Sequence, residues 1–306
     1  MSLIDRKVTG LSLPPGTLIN TRYEVKKLLC RARLTEVYEV SDERGDAKCV
    51  LKFFAINNEA FQVEYDFLKK CRGDRGFPYL VEKFDSEIDR KKYKCIVDVL
   101  VKTFNFSVTS YEGETWLNLQ RRNNEISISN TLRIGYKLFG LLDKVHQKGF
   151  VHRNLQFNNI LLEINYGGDI DIKLIDFEHT VQHTPAPKSI RLNSWYQSLE
   201  VIEGPYTVLD DFTSVVCLLM YCQNIKPFGN SKDFYLERKK EFNKGPMTHF
   251  EPETYWIGRL HIEIERQRTT GYDKSALMDI FKNAMKGVSP TSAISYSLKN
   301  GLFYID

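Results

Sequence analysis

The sequence predicts an α+β protein with two unlike halves, a small β-rich one followed by a larger helical one. Two observations carry that expectation. Between Tyr23 and about Val101, short runs rich in β-branched and aromatic residues dominate, at Tyr23–Leu29, Glu36–Val40, Cys49–Phe54 and Lys94–Leu100. Beyond them the apolar residues recur at helical spacing instead. A length of 306 residues admits two ordinary domains or one large two-lobed unit, and 42% apolar content suffices for a sizeable core.

Taken in order, residues 1–19 hold a Gly/Pro-rich opening, Leu13-Pro14-Pro15-Gly16, which reads as a leader that packs on the surface or frays. The strand-like region is interrupted once, at Glu59–Cys71, where Phe61, Tyr65 and Leu68 share a helical face. Thr131–Gln147 carries Ile134, Leu138, Leu141, Leu142 and Val145 on one stripe, with Gly149 as a stop signal. Asp211–Tyr221 is apolar nearly all round, the pattern of a helix at a domain centre. Asp233–Phe242 and Trp256–Arg268 are charged and amphipathic, as surface helices are, and Lys274–Met285 reads as a closing helix.

Charge and cysteine usage exclude several classes. The 43 Lys and Arg residues against 39 Asp and Glu give a net charge of +4, with no concentrated basic stripe to hold nucleic acid. The longest apolar run, Val215–Cys222, is too short to cross a bilayer. Six cysteines at positions 30, 49, 71, 95, 217 and 222 form no CxxC pair, and Met1–Lys7 has no apolar signal core. An intracellular protein with reduced thiols is expected, cytoplasmic or nuclear, with neither nucleic acid nor membrane as its partner.

A set of short motifs then follows in a telling order. Val50-Leu51-Lys52 ends a strand-like run, and Glu64 lies on the helix that follows. His152-Arg153-Asn154-Leu155-Gln156-Phe157-Asn158-Asn159 fits the frame His-Arg-Asp-x-x-x-x-Asn, and Asp176-Phe177-Glu178 fits Asp-Phe-Gly. Each alone is weak; in this order the chain resembles a protein kinase. Gly73–Leu80, Asp210-Asp211-Phe212-Thr213-Ser214 and Lys226-Pro227-Phe228 are similar to segments of the casein kinase 1 superfamily, nearest its tau-tubulin kinase branch.

The resemblance implies a bilobal protein kinase-like fold with nucleotide between a small β lobe and a larger helical lobe. It settles the domain question in favour of one kinase-like domain over about 20–290, with lobes dividing near 101/102, and leaves residues 291–306 as a short tail. It also implies ATP and Mg²⁺ as ligands. Lys52 would reach the phosphates, Glu64 would fix that lysine, and Asn159 and Asp176 would hold the metal.

Several positions depart from the family's pattern. Cys30, Ala32 and Thr35 stand where its phosphate loop has three glycines, crowding the approach of backbone N–H groups to phosphate. Arg31 and Arg33 flank them and are expected to be solvated. Val50 replaces an alanine of the adenine ceiling and narrows it. Asn154 occupies the position of the catalytic base, and an amide cannot take a proton from a hydroxyl. Gln156 replaces the lysine that steadies the transferring phosphate. Glu178 adds negative charge beside Asp176, and His179 and His183 lack a third ligand at zinc-site spacing. The sum describes a pseudokinase, an interaction or allosteric module that either retains ATP as a conformational ligand or has lost it. The alternative is a weakly active Ser/Thr kinase working through Lys52, Glu64, Asn159 and Asp176.

Overall fold

The computed structural model describes residues 13–31, 35–45, 47–55, 59–87, 103–122, 125–184, 194–229 and 234–306. The chain divides into two compact units, Met1–Glu112 and Gly113–Asp306. The division expected near 101/102 therefore falls about ten residues later. Its cause is strand pairing: Thr103–Ser110 hydrogen-bonds to two strands of the first unit and cannot be separated from it.

The first unit is one antiparallel sheet with a single helix. In chain order its elements are β1 (Leu18–Ile19), β2 (Tyr23–Arg31), β3 (Thr35–Asp42), β4 (Ala47–Ala55), α1 (Glu59–Lys70), β5 (Leu80–Glu87) and β6 (Thr103–Ser110). The sheet order is β1-β2-β3-β4-β6-β5. Because strand side chains alternate between faces, Cys49, Leu51 and Phe53 of β4 enter a core with Tyr23, Val25, Tyr38, Phe106 and Val108. Val50 and Lys52 share the other face and are half-buried. Residues 13–19 are part of this unit: Leu13 is in its core, and Gly16 and Thr17 bond to Val25 through the backbone. The strand expected at Lys94–Leu100 lies outside the described residues. Two others, β5 and β6, do not read as strands because polar residues break their apolar pattern, Glu82 and Lys83 in β5 and the alternating Asn105 and Ser107 in β6.

The second unit opens with β7 (Glu114–Thr115), α2 (Trp116–Arg122) and α3 (Ile128–Gln147). Short strands follow, β8 (Phe150–Val151), β9 (Ile160–Ile164), β10 (Ile170–Leu174) and β11 (Val181–Gln182), and then α4 (Glu200–Glu203), α5 (Val208–Cys222), α6 (Tyr235–Lys244), α7 (Tyr255–Thr270), α8 (Lys274–Lys282), β12 (Tyr296–Lys299) and β13 (Leu302–Ile305). Helix α3 starts earlier than its apolar stripe suggests, because Ser127 caps it by accepting from the Asn130 backbone N–H. Helix α5 starts with a reciprocal cap between Thr207 and Asp210 and is buried continuously from Leu209 to Met220, the central position that its composition predicts. At Gly135 of α3 a β-carbon would sit 2.8 Å from Leu219 of α5 and 2.9 Å from Phe281 of α8, so only glycine permits this approach.

Helix α7 is amphipathic, as its sequence suggests: Trp256, Ile257, Leu260, His261, Ile264 and Gln267 are buried along one face, while Tyr255, Arg259, Ile262 and Arg266 are exposed on the other. Residues 291–306, expected as a short tail, are ordered strand at their end. They end in the β12–β13 hairpin, tied to the start of α3 by the Asn130 side chain, whose Nδ2 donates to Ser295 O, Ser295 Oγ and Asp306 O.

Two measurements test this packing. Asn130 is fully buried, so Asn130→Ala orphans several partners and should cost about 1–3 kcal/mol in urea unfolding, with earlier proteolysis at the hairpin. His261 Nε2 donates to Asn243 Oδ1 at 2.9 Å. Burial, reinforced by the charges of Lys239 and Arg268, lowers its pKa to about 4. The folded state therefore keeps it neutral while the unfolded chain protonates it. Its contribution is complete above about pH 6.5 and should fall by about 3 kcal/mol as the pH approaches 4. His261→Gln should flatten that part of the stability–pH curve.

Candidate functional site

In the first unit the site residues gather on the β3–β4 face and on α1. Glu64 lies on the buried stripe of α1 with Phe61, Phe67 and Leu68, an expensive place for a carboxylate. It is matched there by Lys52 of β4, whose Nζ is 3.0 Å from Glu64 Oε2 with both side chains almost fully enclosed. Lys52 Nζ also lies over the Phe54 ring, 5.0 Å from its centre. Val50 flanks Lys52 on the same face, and Val37 pairs with Lys52 across the ladder.

The hairpin at the missing glycines is strand rather than a loose loop at its described positions. Cys30 is exposed at the end of β2 and pairs with Val37, and Thr35 is buried at the start of β3. Neither takes the left-handed backbone that glycine favours. Ala32 and Arg33 lie outside the described residues. Arg31 is not simply solvated: its Nε donates to Glu36 Oε1 at 2.6 Å, while the Tyr38 hydroxyl donates to the other oxygen of that almost fully buried carboxylate. Tyr38 in turn accepts from the Leu13 backbone N–H at 3.0 Å.

In the second unit, the loop between β8 and β9 is fastened from below by Asp211 of α5. That carboxylate accepts from the backbone N–H groups of His152 (2.8 Å) and Arg153 (2.9 Å) and from the Tyr206 hydroxyl (2.7 Å). His146 Nε2 of α3 stands 2.9 Å away. Burial opposes ionisation of Asp211, but the hydrogen bond and charge of His146, then His152 and Tyr206, hold its carboxyl below the usual range. Burial lowers the pKa of His152 as well, and its Nε2 meets the Ile175 carbonyl at 3.1 Å. Arg153 and Asp176 both adopt left-handed φ, 68° and 66°. Such strain in non-glycine residues persists only where surrounding contacts impose it.

Asn154, Gln156, Asn159 and Asp176 form one amide–carboxylate network. Asn154 Nδ2 donates to Asp176 Oδ2 at 2.9 Å, and Gln156 Nε2 donates to Asn154 Oδ1 at 3.2 Å. Asn159 Nδ2 donates to the Asn154 carbonyl at 2.8 Å and reaches Asp176 Oδ2 at 3.2 Å. Glu178 Oε1 stands 3.6 Å from His179 Nε2. Among the described residues no three His, Cys, Asp or Glu side chains cluster as a zinc site held by protein ligands alone would require. Trp195 stacks on Tyr221 with ring centres 5.2 Å apart.

Sequence reasoning placed Asp211 only by resemblance and missed its partners His146 and Tyr206. It also missed the 2.9 Å ion pair between Asp210 and Arg268. The available signal was a pair of aspartates entering an otherwise apolar helix, since buried carboxylates need donors.

With these parts in view, the comparisons with known proteins converge on one family. Residues 23–282 match the model described as the protein kinase domain, and the chain belongs to that family. A probable cyclin-dependent serine/threonine-protein kinase of Dictyostelium discoideum is 22% identical over 203 residues, 65% of this chain and 13% of that protein. Mitogen-activated protein kinase 3 of Arabidopsis thaliana is 28% identical over 117 residues, 37% of this chain and 30% of that one. An Aurora kinase of Debaryomyces hansenii is 26% identical over 196 residues, 62% and 43% respectively. The chain thus spans well under half the length of these relatives.

Protein kinase domains generally bind ATP with Mg²⁺. Asn159 suits that role, since its Nδ2 is anchored and its oxygen has no partner among the described residues. Asp176 does not suit it as arranged, because Oδ2 already accepts two amide N–H groups. A cation there would meet donors where it needs oxygen.

The support beneath the loop is testable. Asp211→Ala leaves four buried donors without an acceptor and should cost about 3–5 kcal/mol in chemical denaturation.

Proposed function

We propose that this chain is a pseudokinase, a protein-kinase domain that acts as an interaction or allosteric module with little or no phosphoryl transfer. One observation carries the reading. At the base position Asn154 has both ends of its amide engaged, Nδ2 on Asp176 and Oδ1 on Gln156. It has neither the basicity nor a disengaged atom with which to receive a hydroxyl proton, and general-base help is worth about 10²–10⁴-fold. Gln156 in the lysine position removes positive charge where a transferring phosphate would need it. Cys30 and Thr35 in strand geometry support the same conclusion.

The assignment to the casein kinase 1 superfamily rests on residues 73–80, 210–214 and 226–228. A protein partner within the cell suits the family and the reduced cysteines. A cavity of about 610 Å³ in the second unit, bordered by Arg121, Gln156, Asn158, Trp195, Tyr221 and Lys226, offers that partner a polar and aromatic surface.

The enclosed Lys52–Glu64 pair favours a second reading, a weakly active Ser/Thr kinase, because that pair positions phosphates in active kinases. A sensitive transfer assay with labelled ATP separates the two. No transfer above an Asp176→Ala control is the expected result, and Asn154→Asp with Gln156→Lys should not restore it while the glycine positions remain filled. Incorporation by the unaltered chain that Asp176→Ala abolishes would establish the enzyme instead. If ATP serves as a conformational ligand, a concentration of about 100 times its dissociation constant should stabilise the fold by about 2.7 kcal/mol.

A further inference from the structure

We propose that Asn154 and Gln156 act together as a built-in replacement for a divalent cation at Asp176. The two departures from the kinase pattern are then one paired change, not two separate losses. Asp176 Oδ2 receives the Asn154 Nδ2 donor at 2.9 Å and the Asn159 Nδ2 donor at 3.2 Å. The orientation of the Asn154 amide is dictated by its neighbours. Turned the other way, its oxygen would face the Asp176 carboxylate at hydrogen-bond distance, and the Gln156 N–H, now 3.2 Å from Asn154 Oδ1, would face an N–H. Gln156 is itself oriented, since its Oε1 faces the Tyr196 hydroxyl at 3.5 Å.

Compare what an aspartate at 154 would do. Two carboxylates at this separation cannot both remain charged unless a cation or a proton sits between them. The amide turns the same approach into attraction with no added charge. A glutamine at 156 then completes the arrangement, because it supplies an N–H to the amide oxygen that an aspartate would have kept for substrate. For a metal to bind through Oδ2, both amide donors must leave it. The half-site is therefore built to stand without one. This rests on the pseudokinase reading only in supposing that Asn154 has no role in transfer.

The test uses the full chain and Mn²⁺ alone, with free Mn²⁺ followed by electron paramagnetic resonance and folding followed by thermal melting. The unaltered chain should show no Mn²⁺ binding that Asp176→Asn removes, and no rise in melting temperature with the metal. Asn154→Asp should melt lower without metal, recover on adding Mn²⁺, and bind it on the order of tenfold or more tightly than the unaltered chain. Gln156→Leu, which frees the Asn154 amide while adding no charge, should gain metal response in the same direction and serves if Asn154→Asp does not fold. Mn²⁺ binding by the unaltered chain that is lost in Asp176→Asn would overturn the proposal, as would Asn154→Asp or Gln156→Leu variants indifferent to metal. A metal-binding chain that still transfers no phosphate would sink this inference and leave the pseudokinase reading standing. Metal-dependent transfer would sink both.

Discussion

The second unit depends on one buried carboxylate. Asp211 sits in the middle of the unit, near the start of a largely apolar helix, and its negative charge survives there because four donors converge on it from three parts of the chain. Each donor has its own structural task. The two backbone N–H groups fix the path of the 152–159 loop, with Arg153 in a conformation it would not choose. Tyr206 anchors the segment entering α5, and His146 joins α3 to it. Without the carboxylate, the loop has no reason to hold the geometry that brings Asn154, Asn159 and Asp176 together.

The site above that support is closely bonded within itself. Asp176 Oδ2 and both ends of the Asn154 amide are engaged by neighbours of the right polarity, while the Asn159 oxygen has no partner among the described residues. Set against the kinase pattern, the amides at 154 and 156 remove one negative and one positive charge, so the local charge balance is kept. The hairpin of the first unit shows a parallel adjustment: Arg31 is held by Glu36, and that carboxylate is held in turn by Tyr38.

Much of the fold was legible in the sequence because long periodic stretches report it directly. The central helix was readable from its continuous apolar composition, α3 from its stripe, and β2 to β4 from β-branched runs. What escaped was polar alternation. In β6, Phe104, Phe106 and Val108 face the core, but the Asn, Ser and Thr residues between them read as loop. In α7 the amphipathic pattern was legible, and its apolar face is the buried one. For the site, the sequence marked Lys52, Glu64, Asn154, Gln156, Asn159 and Asp176 through motif order alone. That Asn154 would bind Asp176 and Gln156 would bind Asn154 could not be read, because pairings between loops depend on backbone paths that no local pattern encodes.

The hairpin at residues 296–305 has a consequence for how the molecule is made. The start of α3 is completed by groups from Ser295 and Asp306, some 176 positions away at the furthest. On a chain emerging from the ribosome, α3 would be present long before the segment that satisfies Asn130. These bonds at its first turn must wait until residues 295–306 have been delivered. Contacts of such long range also slow folding, since the intervening loop must be closed before they contribute. The last step of assembly in this unit is therefore expected at its outer edge, as the final strands close over a helix formed much earlier.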